Sequence, residues 1–141
     1  MRFLSLCFIF SIISLCPSSV SAMLDGPYNA KVLRVIDGDT FEARVQIWLD
    51  HYAEYKIRLR GIDAPELRAK CNAAKRQAVR AKTILEKMLQ DTDVKLMNIE
   101  RGKYGGRVIA DVLVGQEDIS QFMIDNRVAR SYSGNARESW C

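Results

Sequence analysis

The sequence has a single histidine, His51, and this scarcity removes several kinds of active site from consideration. One imidazole cannot supply a reaction centre that uses two histidines, and it cannot supply a histidine-rich zinc site. The chain also has no Gly-x-x-x-x-Gly-Lys-Ser/Thr run, so it lacks the loop that cradles a nucleoside triphosphate. We expect His51 itself to be an exposed loop residue.

Long apolar runs are missing except for one at the start of the sequence. Arg2 precedes a mostly apolar run of 13 residues, 3–15, and small residues lead to Ala22. This order is typical of a secretory signal peptide. A membrane anchor is the alternative, but a span needs roughly 18 or more residues. We therefore expect a signal peptide over 1–22, one domain over 23–141, a secreted or periplasmic location and no membrane attachment after cleavage.

Cysteine is also scarce, and two of the four cysteines lie within the predicted signal peptide. Cys71 and Cys141 remain in the exported part of the chain. Two cysteines in an exported protein most simply form one disulfide. The alternatives are two unpaired thiols or a bridge between molecules.

Charge of one sign is not in large excess. The chain has 21 Lys and Arg against 17 Asp and Glu, and removal of Arg2 leaves 20 against 17. A small positive excess permits nucleic-acid binding without indicating it, because many soluble domains carry as much.

What the sequence does have is a series of short alternating segments. Along 40–49, for example, Phe41, Ala43 and Val45 share one face with Ile47 and Leu49. Such alternation predicts half-buried strands, and short turns between the first three predict an antiparallel meander. The five predicted strands are 31–36, 40–49, 55–59, 94–99 and 107–114.

Two helices are predicted around these strands. A helical pattern begins at Pro65 and Glu66, and Asp118 is placed to cap a short second helix with Ile119, Phe122 and Met123 directed inward. The long helix has an apolar stripe at three- and four-residue spacing. Its members are Ala74, Ala78, Ala81, Leu85 and Leu89. The fold class is therefore α+β, a five-stranded OB-fold barrel with one long helix after strand 3 and a short C-terminal helix.

Two acidic segments stand where strands end. One is Asp37-Gly38-Asp39, and the other runs from Arg58 through Asp63-Ala64-Pro65-Glu66. Carboxylate oxygens are the ligands that Ca²⁺ prefers, guanidinium groups stabilise a phosphodiester near its transition state, and a carboxylate can take a proton from water. The residue types therefore fit metal-assisted phosphodiester hydrolysis.

Each segment also has a simpler interpretation. Asp37-Gly38-Asp39 can be a plain hairpin turn, and Asp63 with Glu66 can be a helix cap. Arg58 and Arg60 share a strand face, so periodicity alone cannot say which of them faces the acids.

In combination, the segments resemble the thermonuclease family, the staphylococcal-nuclease-like nucleases. The resemblance covers residues 31 to about 130. It rests on Ile36–Thr40, on Arg58 followed by Asp63–Glu66, and on Lys103–Arg107.

The resemblance implies a Ca²⁺ site. Asp39 and Asp63 would ligate the ion with the backbone carbonyl of Ala64. Asp37 would support these ligands without binding the ion itself. Oxygen-only ligands agree with Ca²⁺ and argue against zinc.

The resemblance also implies the catalytic roles. Glu66 would be the general base, and Arg58 and Arg107 would clamp the phosphate. Lys103 and Tyr104 would hold a terminal phosphate of the nucleotide. Family members cleave DNA and RNA between phosphorus and the 5′ oxygen, so the expected protein is a monomeric Ca²⁺-dependent nuclease.

Two other classes remain open. One is a non-catalytic OB-fold domain that binds nucleic acid, which needs basic and aromatic residues but no acidic cluster. The other is an inhibitor or adhesion module that uses the barrel as a scaffold.

Overall fold

The computed structural model describes residues 23–141, and the predicted signal peptide lies outside that range. Five long strands, three two-residue strands and two helices occur in it. In chain order they are β1 (Tyr28–Val35), β2 (Thr40–Trp48), β3 (His51–Leu59), β4 (Ile62–Asp63), α1 (Asn72–Leu89), β5 (Asp93–Arg101), β6 (Arg107–Val114), β7 (Glu117–Asp118), α2 (Ile119–Asp125) and β8 (Arg130–Ser131).

The five long strands close into a barrel. Their order is β3-β2-β1-β5-β6, all neighbours in this order are antiparallel, and a parallel pairing of β3 with β6 joins the two ends. This confirms the predicted α+β class and the five-stranded OB-fold barrel with two helices. Closure removes the open sheet edges, since each barrel strand has a neighbour on both sides.

The alternation in β2 explains its inner face, although only over part of its length. Phe41, Ala43 and Val45 are buried in the core, whereas Ile47 and Leu49 are exposed. The prediction that all five share one buried face is therefore wrong at its far end. There the β2–β3 hairpin extends beyond the barrel interior, and alternation cannot report where an element leaves the core. His51 is exposed as expected, but it begins β3 rather than lying in a loop.

The long helix begins later than predicted. Helix α1 starts at Asn72, and Cys71 is its N-cap, whose sulfur accepts from the backbone N–H of Ala74 at 3.5 Å. Residues from Pro65 onward form turns instead, so the interpretation of Asp63 and Glu66 as a helix cap is also wrong. A capping side chain must lie directly before the helix, because it accepts hydrogen bonds only from the N–H groups of the first turn. Asp63 and Glu66 lie too far before Asn72 to do this. The predicted apolar stripe is fully confirmed, since all five members are buried.

The short second helix agrees with the prediction. The carboxylate of Asp118 accepts from the backbone N–H of Gln121 at 2.9 Å, which is the N-cap contact. Ile119 and Met123 are buried, and Phe122 packs against the core while partly exposed.

A disulfide joins Cys71 to Cys141, with their Cα atoms 5.9 Å apart. The predicted pairing is thus present. Because Cys71 caps α1, the bridge holds the end of the sequence against the first turn of the helix. Within residues 23–141, no helix is long and apolar enough to cross a membrane.

Candidate functional site

The two acidic segments meet where β2 begins and β3 ends. Thr40 pairs with Arg58 across the two strands, and the backbone N–H of Leu59 donates to the carbonyl of Asp39 at 2.9 Å. This pairing places the Asp37–Asp39 turn beside the end of β3. The short β4, which contains Asp63, follows after one turn.

Asp39 is buried, and both of its carboxylate oxygens accept hydrogen bonds. Its Oδ1 accepts from Arg58 Nη1 at 2.5 Å and from the Thr40 hydroxyl at 2.8 Å, while its Oδ2 accepts from the backbone N–H of Ala64 at 3.0 Å. Asp37 supports the turn, since its Oδ1 accepts from the backbone N–H of Asp39 at 3.1 Å. The two acidic segments are therefore joined directly through Asp39.

Burial raises the pKa of Asp39 to about 6. The nearby positive charge of Arg58 opposes this shift, and the negative charge of Asp37 adds to it. The pKa rises because the charged carboxylate loses hydration that one guanidinium does not fully replace. An additional positive charge at this position would stabilise the carboxylate.

Asp63 lies on the other side of Arg58. Its Oδ1 is 3.8 Å from Arg58 Nη2 and 3.2 Å from Arg137 Nε, and its Oδ2 accepts from Trp140 Nε1 at 3.0 Å. The Oδ1 contacts are ionic but not aligned as hydrogen bonds, so this buried oxygen has no hydrogen-bond partner among residues 23–141. A carboxylate oxygen without a hydrogen bond keeps lone pairs that a cation could use, although two guanidinium groups already lie close to it.

Glu66 is the exposed member of the group. Its side chain is 62% exposed, and its Oε1 lies 3.0 Å from Arg137 Nη1. Arg137 therefore contacts both Asp63 and Glu66. An exposed carboxylate beside a buried pair can reach solvent, which a group that orients water must do.

Sequence reasoning missed Arg137 and Trp140. They lie far from the motifs in the chain and carry no recognisable spacing of their own. The predicted bridge to Cys141 was the available signal. It places the residues just before Cys141 near the start of α1, and hence near Asp63 and Glu66.

Arg58 and Arg60, which periodicity could not separate, have different surroundings. Arg58 is buried between Asp39 and Asp63. Arg60 pairs instead with Glu100 at 2.6 Å and with Asp111 at 3.0 Å, and its Nη2 donates to the carbonyl of Asn98. Arg60, which directly follows β3, thus belongs to a network with β5 and β6.

The residues expected to bind phosphate from the 102–107 loop lie elsewhere. The Arg107 guanidinium stands 4.8 Å from the centre of the Tyr104 ring, and both line a cavity of about 830 Å³ with Lys103, Tyr28 and Tyr55. Over the part of the chain that the structure describes, no hydrogen bond or ion pair joins Arg107 to the carboxylates. Its role as a phosphate clamp stays a prediction.

The oxygen ligands at the site are few, but their type fits a hard cation. In residues 23–141 no three Asp, Glu, His or Cys side chains converge closely enough to hold a metal by themselves. Asp39 and Asp63 supply two carboxylates, and Oδ1 of Asp63 has no hydrogen-bond partner among these residues. Each carboxylate oxygen has two lone pairs, so existing hydrogen bonds leave room for a ligand bond. Ca²⁺ completes such a set with backbone carbonyls and water.

One comparison with known proteins identifies a relative of this architecture. A family model described as staphylococcal nuclease homologue matches residues 56–139, which is more than half of the chain. The match includes the end of β3, the Asp63–Glu66 segment and Arg137. No curated protein matches the chain.

Proposed function

The chain belongs to the family of staphylococcal nuclease homologues, and on that premise we propose that it is an exported, Ca²⁺-dependent nuclease. It hydrolyses phosphodiester bonds of DNA and RNA, cleaving between phosphorus and the 5′ oxygen to leave 3′-phosphates. It acts as a monomer. The observation that carries the proposal is the buried Arg58 held between Asp39 and Asp63, with one oxygen of Asp63 unsatisfied.

Asp39 and Asp63 would hold the ion, together with the carbonyl of Ala64, and Asp37 would fix the turn behind them. When bound, the ion polarises a phosphoryl oxygen and neutralises charge that develops on it. The raised pKa of Asp39 reflects a buried carboxylate that Arg58 does not fully compensate, and a bound cation would stabilise its charged form.

Arg58 binds the phosphate beside the two carboxylates. A guanidinium has five donors, and the contacts of Arg58 use only its two Nη atoms. Its planar fork matches two phosphate oxygens at once, which a single ammonium cannot do. Arg58 is also held in place before substrate arrives, so little reorganisation is needed as charge develops.

Glu66 orients the attacking water and accepts its proton. The exposure of its carboxylate gives it access to solvent, and Arg137 fixes its direction. We place Arg107, Lys103 and Tyr104 on the substrate side, where the cavity beside them combines basic and aromatic residues with an aliphatic wall. That composition suits a nucleotide, because bases stack on aromatic rings and phosphates pair with cations.

Export agrees with the disulfide. A Cys71–Cys141 bridge persists in an oxidising compartment and is rare in a reducing one. We therefore place the protein outside the cytoplasm, after removal of residues 1–22.

A non-catalytic nucleic-acid-binding domain is the rival class. Such a domain has no use for carboxylates at its binding surface, because they repel phosphate. The cluster of Asp39, Asp63 and Glu66 around Arg58 therefore favours catalysis.

The experiment is incubation of the purified protein with plasmid DNA and with RNA, in Ca²⁺ and in chelator. We expect degradation of both in Ca²⁺ only, and fragments whose 3′ ends a polymerase extends only after phosphatase treatment. Glu66→Gln is the matched variant, and its rate should fall by roughly 10²–10⁴ with nucleotide binding retained. Binding without cleavage by the unaltered protein would favour the rival, and cleavage in chelator would contradict the metal mechanism.

A further inference from the structure

The last ten residues cross the site as a segment without regular secondary structure. We call residues 132–141 the strap. At one end, the backbone N–H of Tyr132 donates to the carbonyl of Gly61 at 2.8 Å. At the other, Cys141 is bonded to Cys71. Both anchors lie beside the Asp63–Glu66 segment, so the strap is held over it.

A third contact fixes the strap between its anchors. The guanidinium of Arg130 lies 3.7 Å from the centre of the Trp140 ring, and Arg130 Nη1 donates to the carbonyl of Ser139 at 3.2 Å. A cation held over an indole face orients the ring. The edge that carries Nε1 is thereby directed at Asp63.

Among residues 23–141, Trp140 is the only donor that makes a true hydrogen bond to the side chain of Asp63, and this bond goes to Oδ2 at 3.0 Å. Oδ1 is left without a hydrogen-bond partner in the described residues. An indole N–H can only donate, so it fixes one oxygen and cannot compete with a cation for the other. We propose that Trp140 is a positioning residue that holds Asp63 in the orientation that presents Oδ1 to Ca²⁺, and that the disulfide-anchored strap delivers it.

The inference rests on the proposed function, because it assigns Asp63 to the cation. Its physical basis is general: partners that hydrogen-bond a ligating group fix its orientation, and their loss costs about 10–100-fold in metal affinity or activity. Arg137 of the same strap contacts Glu66 and lies 3.2 Å from Asp63 Oδ1, so a cation bound to that oxygen would replace this ionic contact while Trp140 keeps its hydrogen bond to Oδ2. The strap therefore contacts one carboxylate assigned to the metal and one assigned to water.

Trp140→Phe tests the hydrogen bond, because it keeps an aromatic ring for Arg130 and removes only the N–H with part of the indole. Trp48→Phe is the matched control, since it makes the same chemical change at the only other tryptophan, which is 71% exposed. Ca²⁺ affinity is measured by titration calorimetry without nucleic acid. We expect Trp140→Phe to weaken Ca²⁺ binding about 10–100-fold while its melting temperature in chelator stays close to that of Trp48→Phe.

Cys141→Ser tests whether the disulfide is needed to hold Trp140 in contact with Asp63. It frees the end of the strap, so we expect a similar loss of Ca²⁺ affinity together with a lower melting temperature. Trp140→Phe combined with Cys141→Ser should lose no more affinity than the larger single loss, because both changes remove the same hydrogen bond. In Trp48→Phe, the emission of the one remaining tryptophan should change when Ca²⁺ binds.

The outcomes separate this inference from the proposed function. If Trp48→Phe binds Ca²⁺ and cleaves DNA while Trp140→Phe binds Ca²⁺ within twofold of it, the nuclease assignment stands and the positioning role is overturned. If Trp140→Phe loses affinity only in proportion to a collapse of its melting temperature, the role is structural and the proposal is again overturned. If Trp48→Phe binds no Ca²⁺, both are overturned.

Discussion

At the scale of single residues, the site depends on a guanidinium buried between two acids. Arg58 contacts Asp39 at 2.5 Å and Asp63 at 3.8 Å, and all three side chains are nearly excluded from solvent. Removing one member of a buried pair leaves an uncompensated charge, which is strongly unfavourable. The site therefore depends both on the positive charge at position 58 and on the shape of the guanidinium.

Arg58→Lys keeps the charge but loses the fork. We expect most of the nuclease activity to disappear, because one ammonium cannot contact Asp39, Asp63 and a phosphate in the same arrangement. The loss is measured as the rate of plasmid DNA cleavage at saturating Ca²⁺.

Arg60→Lys is the control, two positions further along the chain. Arg60 pairs with Glu100 and Asp111 and not with the site, so we expect a near-normal rate and a lower melting temperature. If Arg60→Lys removes activity and Arg58→Lys does not, the assignment of Arg58 is wrong.

The raised pKa of Asp39 predicts a pH dependence of stability in the metal-free protein. The pKa is about 6 in the folded state against an ordinary value of 3.8, so the folded state holds a proton more tightly. This favours folding fully below about pH 4, and the contribution is lost as the pH rises through 6. Urea unfolding of the unaltered protein and of Asp39→Asn, which cannot titrate, measures the difference between the two free energies.

That difference should change across pH 4 to 6 by an amount on the order of 3 kcal/mol, with the unaltered protein gaining stability relative to the variant as the pH falls. A difference that stays constant over this range would contradict the raised pKa.

At the scale of elements, the Asp37–Asp39 turn, the helix α1 and the Asp63–Glu66 segment approach one another closely. A Cβ added at Gly38 would lie 2.6 Å from the Cβ of Ala81 and 2.8 Å from that of Ala64. Both neighbours are buried and lack a flexible end that could move aside. Small residues at all three positions thus allow the helix to support the site from beneath.

Gly38→Ala should therefore force the turn away from the helix. Overpacking of this kind typically costs about 1–3 kcal/mol, and we expect a lower melting temperature together with weaker Ca²⁺ binding. Gly105→Ala is the control, because an added Cβ there has no neighbour within 4 Å. Equal behaviour of the two variants would show that the close approach has no consequence.

At the scale of the whole molecule, the disulfide links the end of the sequence to the start of α1 across a separation of 70 residues. In the chain-entropy account, a loop this long stabilises by roughly 4 kcal/mol, although real bridges often contribute less. A whole domain is stable by about 5–15 kcal/mol, so this is a large share.

Cys71→Ser should accordingly lower the melting temperature clearly, as should reductant on the unaltered protein. At room temperature and saturating Ca²⁺ we expect activity to survive, because neither cysteine takes part in the chemistry. Scanning calorimetry and rates on plasmid DNA provide the two measurements. Two freely alkylated thiols in the exported protein would contradict the bridge itself.

The sequence by itself determined the barrel, because strand alternation and the helical stripe are local patterns with a fixed period. It also determined which segments carry the acids, and it favoured a bridge between Cys71 and Cys141 over two unpaired thiols. Where α1 begins was missed, because the turns after Pro65 resemble a helix start at the level of single residues.

Strand period alone could not decide which arginine enters the site, and only the tertiary structure decided what covers it. Arg58 and Arg60 share a strand face in the sequence. The partners of Arg58 come from the Asp37–Asp39 turn and β4, whereas those of Arg60 come from β5 and β6. Trp140 reaches Asp63 across 77 positions of the chain. A contact between distant segments depends on how whole elements pack, and no local period in the sequence records it.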